Sequence, residues 1–425
     1  MPRVTVHARD QHARDQPDGG VLSAFAARRR RWWTWYGAVL AVAAVIVATV
    51  VTVAWTTGEA HNAHLSVAKH APARVPFTAI SNPLRVAWHN GDATAIGEPL
   101  HNGTVITYST HTVSARNALT GAVTWSYTRT NSTICQVAQE QGKTLAMFTR
   151  DGNCNEIDAF NTDTGTRAWE RTLDENMKPV LGAHPNVIAA EDALFVWTGS
   201  GIYAVTISTL ACKAETGSNC GYDAWTYPAP DGCTLKHIAP GQLGVLISQE
   251  CNGVSQLLLR DRYQGTDDTH TRIFWTLAND KAIPVTANFF VAAIDPDSHQ
   301  LITYNRANGK QSGTLRLSPA PDVTAPISQF ALPQGQLLQI GGTCYALTLT
   351  GDAAMWSAAL PTLPSLGDDN GKTLFAVSAQ GVRLLSSRTG MPTTTYSGPS
   401  TLAARQLDRL GSGFLVGGTS TTVLL

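Results

Sequence analysis

The stretch Ala115–Tyr127, ARNALTGAVTWSY, decides the fold when it is set beside Asp158–Arg171, DAFNTDTGTRAWER. In each, a short strand-like run meets a turn ending in Thr-Gly, and a Trp follows four residues after the glycine. Tyr345–Ala358, YALTLTGDAAMWSA, repeats the arrangement with one extra residue. Two further copies lack the Trp: ITYNRANGKQSGTLRL from Ile302 and RLLSSRTGMPTTTYSG from Arg383. The physical content is a hairpin. Glycine supplies the positive φ of the turn, and the aromatic residue starts the returning strand.

Working outward, returning strands fall at Trp88, Trp125, Trp169, Trp225, Trp275, near Leu315, at Trp356 and near Tyr396. Their spacing, from 37 to 56 residues, leaves room for four short strands per unit, which is a propeller signature. No amphipathic helical stretch competes, and β-helix rungs would be shorter. The expected fold class is therefore all-β: one β-propeller of about eight four-stranded blades (seven being possible) over residues 81–425. The segment VAWHN around Trp88 precedes any complete unit, while ARQLDRLGSGFLVGGTSTTVLL at the C-terminus supplies only three strands. The two pieces should complete one blade, closing the ring and removing sheet edges that invite aggregation.

A charged fraction of only 15%, with plentiful Gly, Thr, Ser and Asn, suits many short strands and tight turns. Net charge is zero but unevenly placed. Residues 1–36 hold seven Arg and three Asp, leaving 24 basic and 28 acidic side chains beyond them. A mildly acidic body with no basic stripe cannot neutralise phosphates well, which argues against nucleic-acid binding.

Trp32–Trp55 reads WWTWYGAVLAVAAVIVATVVTVAW. Gly37–Trp55 spans 19 residues without a charge. As a helix it would be about 28 Å long, close to the hydrocarbon thickness of a bilayer. Arg28, Arg29, Arg30 and Arg31 precede it and should stay cytoplasmic, and the flanking Trp and Tyr match interfacial belts. The expected organisation is a basic cytoplasmic tail (1–31), a transmembrane helix (32–55), a linker (56–80) and an extracytoplasmic propeller (81–425). A cleaved signal peptide is the rival, with small residues near Gly58-Glu59-Ala60. The long apolar core and long preceding region favour an uncleaved anchor in a cell membrane.

The Ala/Tyr-x-Leu/Asn-x-x-Thr-Gly-x-x-x-Trp units resemble the PQQ-like propeller repeat. That repeat is shared by quinoprotein alcohol dehydrogenases and by the outer-membrane assembly lipoprotein that holds a propeller beside the β-barrel insertion machine. The resemblance covers about residues 81–425 and implies a propeller. It leaves activity open, because one fold hosts unrelated functions. All seven cysteines lie beyond the apolar segment and none forms a C-x-x-C pair, so structural disulfides in an oxidising compartment are expected. In blade register, Cys135 opens a first strand and Cys154 a third, with Cys233 and Cys251 at corresponding places. Cys212 and Cys220 flank a hairpin turn. The pairing 135–154, 212–220 and 233–251, leaving Cys344 as the free thiol, is one of many connectivities.

The search for chemistry ends without a catalytic, cofactor or metal site. Quinoproteins hold calcium with carboxylate and amide side chains and often carry adjacent cysteines, which this chain lacks. The runs Asp151–Glu156, Asp295–Ser298 and Asp368–Gly371 are read as turn chemistry, and Asp267-Asp268 as solvated loop carboxylates. His61, His64 and His70 belong to the linker and lack the rigid support a metal requires. The repeat Trp residues are assigned to packing between blades rather than to carbohydrate stacking. The reading that emerges is a non-enzymatic binding or scaffolding module for an envelope protein or a cell-wall polymer. The alternative is a PQQ-type quinoprotein or a ligand sensor that uses the central channel.

Overall fold

The first two Thr-Gly hairpins are built by an asparagine as much as by their glycine. The strands Thr112–Asn117 and Val123–Arg129 pair antiparallel, with Ala115 opposite Trp125. In the turn between them, Asn117 Oδ1 accepts from the Leu119 and Thr120 amides and from Thr120 Oγ1. Asn161 does the same for Asp163 and Thr164 ahead of Gly165. Side chains of this type compete for local backbone donors, which is why they stop a strand and turn it back.

The computed structural model of the chain describes residues 36, 39–51, 59–173, 182, 184–190, 193–207, 223–261, 273–362, 364–366, 371–399 and 406–425. It divides into two units, 1–62 and 63–425. The larger unit holds eight sheets, each with four strands in sequence order as its basis. Blades one to seven occupy 93–129, 134–172, 186–228, 233–278, 283–316, 327–359 and 365–397. The eighth combines Gln406–Leu410, Gly413–Gly417 and Thr421–Leu424 with Val86–Asn90 from the other end of the chain. This is the closure read from the sequence. All eight returning strands named there are fourth strands of blades, including those at Leu315 and Tyr396 that lack Trp.

The spacer reading of 56–80 gives way from Ala63 onward. Ala63–Ser66 is a strand that pairs with the outer edge of blade one, Leu65 lying opposite Tyr127. The chain then runs along the propeller as a strap. The Ala68 amide donates to Thr164 O, that of Thr78 to Gly411 O, that of Ser81 to Ser412 O and that of Leu84 to Ser397 O. Leu84 is buried in the core between blades seven and eight, and Val75 packs on the core between blades eight and one. Alternating apolar residues such as Ala63 and Leu65 permit a strand, and the open backbone edge of blade one supplies its partner.

The seams between blades repeat one device. Trp88, Trp125, Trp275 and Trp356 each lie on the Thr-Gly-type turn of the following blade and donate Nε1–H to a carbonyl there. The acceptors, Ala118, Thr162, Arg306 and Ser387, all stand three residues before the turn glycine. Only glycine fits beneath the ring. A Cβ at Gly165, where φ is +73°, would come within 2.5 Å of the Trp125 indole. The fifth blade has Leu315 in place of Trp, and Phe290 from its own first turn lies against Gly351 of blade six instead. The repeat Trp residues whose contacts are described thus pack between blades, as their register suggested.

Between blades one and two the seam adds a buried ion cluster to its apolar core. Arg129 Nη1 lies 3.0 Å from Glu156 Oε1 and 3.5 Å from Asp158 Oδ2. Arg167 Nη2 lies 2.6 Å from Asp158 Oδ1 and also donates to Tyr127 Oη. The Arg129 guanidinium stacks on Phe148 and that of Arg167 on Tyr127. Burial opposes the Arg129 charge, but the hydrogen bond and charge of Glu156 outweigh it and raise its pKa.

In the first unit, residues 39–51 are helical, with Val39, Leu40, Val42, Val45, Ile46, Val47, Val50 and Val51 all exposed. The rest of the expected span, 32–35, 37–38 and 52–55, lies outside the described residues. Among the described residues no helix is long and apolar enough to cross a membrane.

Candidate interaction face and central channel

In an up-and-down blade the turn after the first strand and the turn after the third lie on one side of the ring, and the turn after the second lies on the other. The exposed large apolar side chains of the propeller divide unequally between these sides. Leu119, Leu349 and Met391 sit in or beside third turns, and Phe289 sits in a first turn. Val86, Val123, Ile273 and Leu366 occupy the strand ends next to such turns. Exposure reaches 67% at Met391 and 54% at Phe77 of the strap. On the opposite side, among the described residues, only Val254 belongs to the same class, and the second turns there read Asp151-Gly152, Gly199-Ser200, Asn252-Gly253 and Gly341-Gly342. Exposed apolar side chains of this size are thus more frequent on one side of the ring than on the other.

The central channel has a volume of about 1010 Å³ and is lined by first strands of blades two to eight and residues 96–102 of blade one, together with Arg74, Val75 and Phe77 of the strap. Its two walls differ. Ile188, Ile238, Val285 and Phe330 stand on blades three to six. The amide groups there are spent on one another: Gln336 donates to Gln329 and Thr286, and Gln329 to Pro240 O. Blades eight, one and two instead contribute Asp408, Glu98 and Glu140. Burial, and then the charge of Glu98, push the Asp408 carboxyl up to about 7. The sequence reading missed these three, because isolated acidic residues at strand ends carry no spacing that marks them.

This wall tests the cofactor that the repeat brings to mind. A polycarboxylate quinone laid against Glu98, Glu140 and Asp408 would meet like charge, and among the described residues no group of His, Cys, Asp and Glu could hold a metal ion. The residues present do not fit PQQ with calcium. Of the other motifs, Asp151-Gly152 is a turn, but Asn153–Glu156, expected to be turn chemistry, begin a strand whose Glu156 pairs with Arg129, and the run at Asp295 is a turn. Asp295 accepts from Ser298 Oγ and the Asp297 amide, and these bonds lower its pKa. His64 lies in the added edge strand. Asp267-Asp268 and 368–370 lie outside the described residues.

Disulfides join Cys135 to Cys154 and Cys233 to Cys251, and Cys344 is a buried free thiol whose pKa burial pushes up to about 12. The first pair links the starts of first and third strands. The second does not: Cys251 ends the second strand, directly opposite Cys233. The sequence register slipped there because Glu250 and Cys251 continue the strand pairing beyond the expected turn. Cys212 and Cys220 lie outside the described residues.

A family model described as outer membrane protein assembly factor BamB matches residues 13–269. Among solved structures, the chain is similar to the computationally designed Ika8 protein at 12% identity and a TM-score of 0.52, over 81% of this chain and 99% of that one. It is similar to Sqt1 of Saccharomyces cerevisiae at 10% identity and a TM-score of 0.51, over 81% and 99%. BamB from Moraxella catarrhalis aligns at 16% identity and a TM-score of 0.46, over 82% and 99%. No curated protein matches the chain. Likeness at such identities shows the fold alone.

Proposed function

The chain belongs to the PQQ-like β-propeller family whose model carries the BamB description, and from that premise we propose that it is a protein-binding scaffold tethered to a membrane. The observation that carries the reading is the one-sided gathering of apolar turn residues: Leu119, Phe289, Leu349 and Met391 on one face, with glycine and polar residues on the other. Rigid blades hold such turns in fixed relative positions, which suits recognition borne by loops. The partner is an envelope protein. A photo-crosslinking residue at Leu349 or Met391 in intact cells should give a discrete adduct with an extracytoplasmic protein, and the same residue at Asn252 should not. Equal crosslinking from both faces, or none from either, would remove the reading.

The tether is the apolar run that includes helix 39–51. Its side chains face outward on every side, and Arg28–Arg31 precede it. The positive-inside rule then places the propeller outside the cytoplasm, where disulfides such as Cys135–Cys154 persist. A reporter active only in the cytoplasm and fused after Leu425 should be silent. Strong activity there would overturn the orientation.

A further inference from the structure

We propose, building on the scaffold reading above, that the partner lies on an arc of turns over blades five to seven and presents a segment carrying both carboxylates and apolar side chains. Contacts from turn to turn make the arc continuous. Arg306, in the third turn of blade five, donates its Nε–H to Leu243 O in the first turn of blade four at 3.0 Å. Phe290, in the first turn of blade five, lies against Gly351 in the third turn of blade six. Gln334, in the first turn of blade six, donates to Ser387 Oγ in the third turn of blade seven at 2.7 Å. Each first turn thus meets the third turn of the next blade. The exposed side chains along this path run from Arg306 and Lys310 through Phe289 and Leu349 to Arg388 and Met391.

Charge selects the occupant. Among the described residues, no acidic group pairs with Arg306, Lys310 or Arg388. Cations at the other turns of this side are neutralised within the chain: Arg116 lies 3.1 Å from Asp92, and Arg167 reaches Asp158 and Glu170. Asp352, the acidic residue described in the arc, is spent on its own turn, accepting from Thr348 and Thr350 Oγ1. The Arg306 guanidinium is also fixed in place, stacked 4.8 Å from the centre of the Phe274 ring. A planar fork held in one orientation suits a carboxylate, which it can bind through two parallel hydrogen bonds. Three cations broken by apolar residues do not form the continuous stripe that a phosphate backbone requires. An acidic protein segment with apolar anchors matches both features at once, its charges opposite to those of the arc.

The test places a photo-crosslinking residue at Met391 of the full chain and irradiates isolated envelopes. Sequencing of the adduct should find a protein segment that contains Asp or Glu beside apolar residues. Combining Lys310→Glu with Arg388→Glu should lower the adduct yield by about tenfold, because each reversal turns an attraction into a repulsion. Both positions are exposed in turns, so thermal unfolding should stay at the parental temperature. Lys281→Glu, an exposed cation on the opposite side of the ring, should leave the yield unchanged. Salt keeps the test open if the double variant does not fold: at about 1 M, where screening acts within about 3 Å, the parental yield should fall as well. A yield indifferent to both charge reversal and salt, or an adduct to a segment without carboxylates, would overturn the proposal and leave the scaffold reading intact. A phospholipid adduct, or none from Met391, would remove both.

Discussion

Deletion of residues 421–425 is expected to leave a chain that does not reach a protease-resistant folded state. Thr421–Leu424 lies between Gly413–Gly417 and Val86–Asn90, so its loss strips the partner from both. Val423 and Leu424 are fully buried, one in the core between blades eight and one and the other in the core between seven and eight. Burial of two such side chains contributes about 3–6 kcal/mol. The deletion also frees the strand that carries Trp88, whose indole caps the Gly121 turn of blade one. A native protein holds only about 5–15 kcal/mol in reserve. The losses fall on two seams at once and leave two bare strand edges, which favour aggregation over an open ring. Limited proteolysis and circular dichroism of the truncated protein check this. A truncated chain that melts cooperatively at the parental temperature would show that the ring does not depend on its terminal closure.

That closure was legible in the sequence because it rests on counting. Three strands at one end and one at the other can be seen without coordinates, and the Trp register fixes which strand is missing. The same register placed all eight fourth strands, including two without Trp, since the Asn-Gly and Thr-Gly turns ahead of Leu315 and Tyr396 survive the loss of the indole. Phe290 could not be read this way. It substitutes for the missing Trp of blade five from that blade's first turn, and only packing in three dimensions reveals that. The strap was misread for a related reason: Ala63–Ser66 is too short and too polar to announce a strand, and it becomes one because blade one offers an open edge. Asp408 escaped notice because its character comes from burial and from Glu98 on a neighbouring blade. The apolar face was equally hidden, since Leu119, Phe289, Leu349 and Met391 are separate residues in four blades that share only a side of the ring.

Replacement of Asp158 by asparagine is expected to cost about 3–5 kcal/mol, the usual penalty for removing one partner from a buried ion pair. Asp158 is fully buried and stands between two arginines, accepting from Arg167 at 2.6 Å and lying 3.5 Å from Arg129. Asparagine preserves the shape but carries no charge, and its amide would point N–H groups at guanidinium donors. Arg129, itself buried, would be left to Glu156 for its ion pairing, with Phe148 beneath it. The position of the cluster magnifies the loss. Arg129 and Tyr127 belong to blade one while Glu156, Asp158 and Arg167 belong to blade two, so the damage falls on a seam that the Trp125 dock also serves. Glu170, more than a third exposed and paired with Arg167 at 3.2 Å, provides the contrast. Exposed pairs contribute only about 0–1 kcal/mol, so Glu170→Gln should be nearly silent. Denaturant unfolding of both variants, with the slope monitored to confirm the same transition, makes the comparison. If Asp158→Asn unfolds at the parental midpoint, the buried ions are not what holds blades one and two together, and the apolar core of Trp125, Tyr127, Phe148 and Phe160 carries that seam.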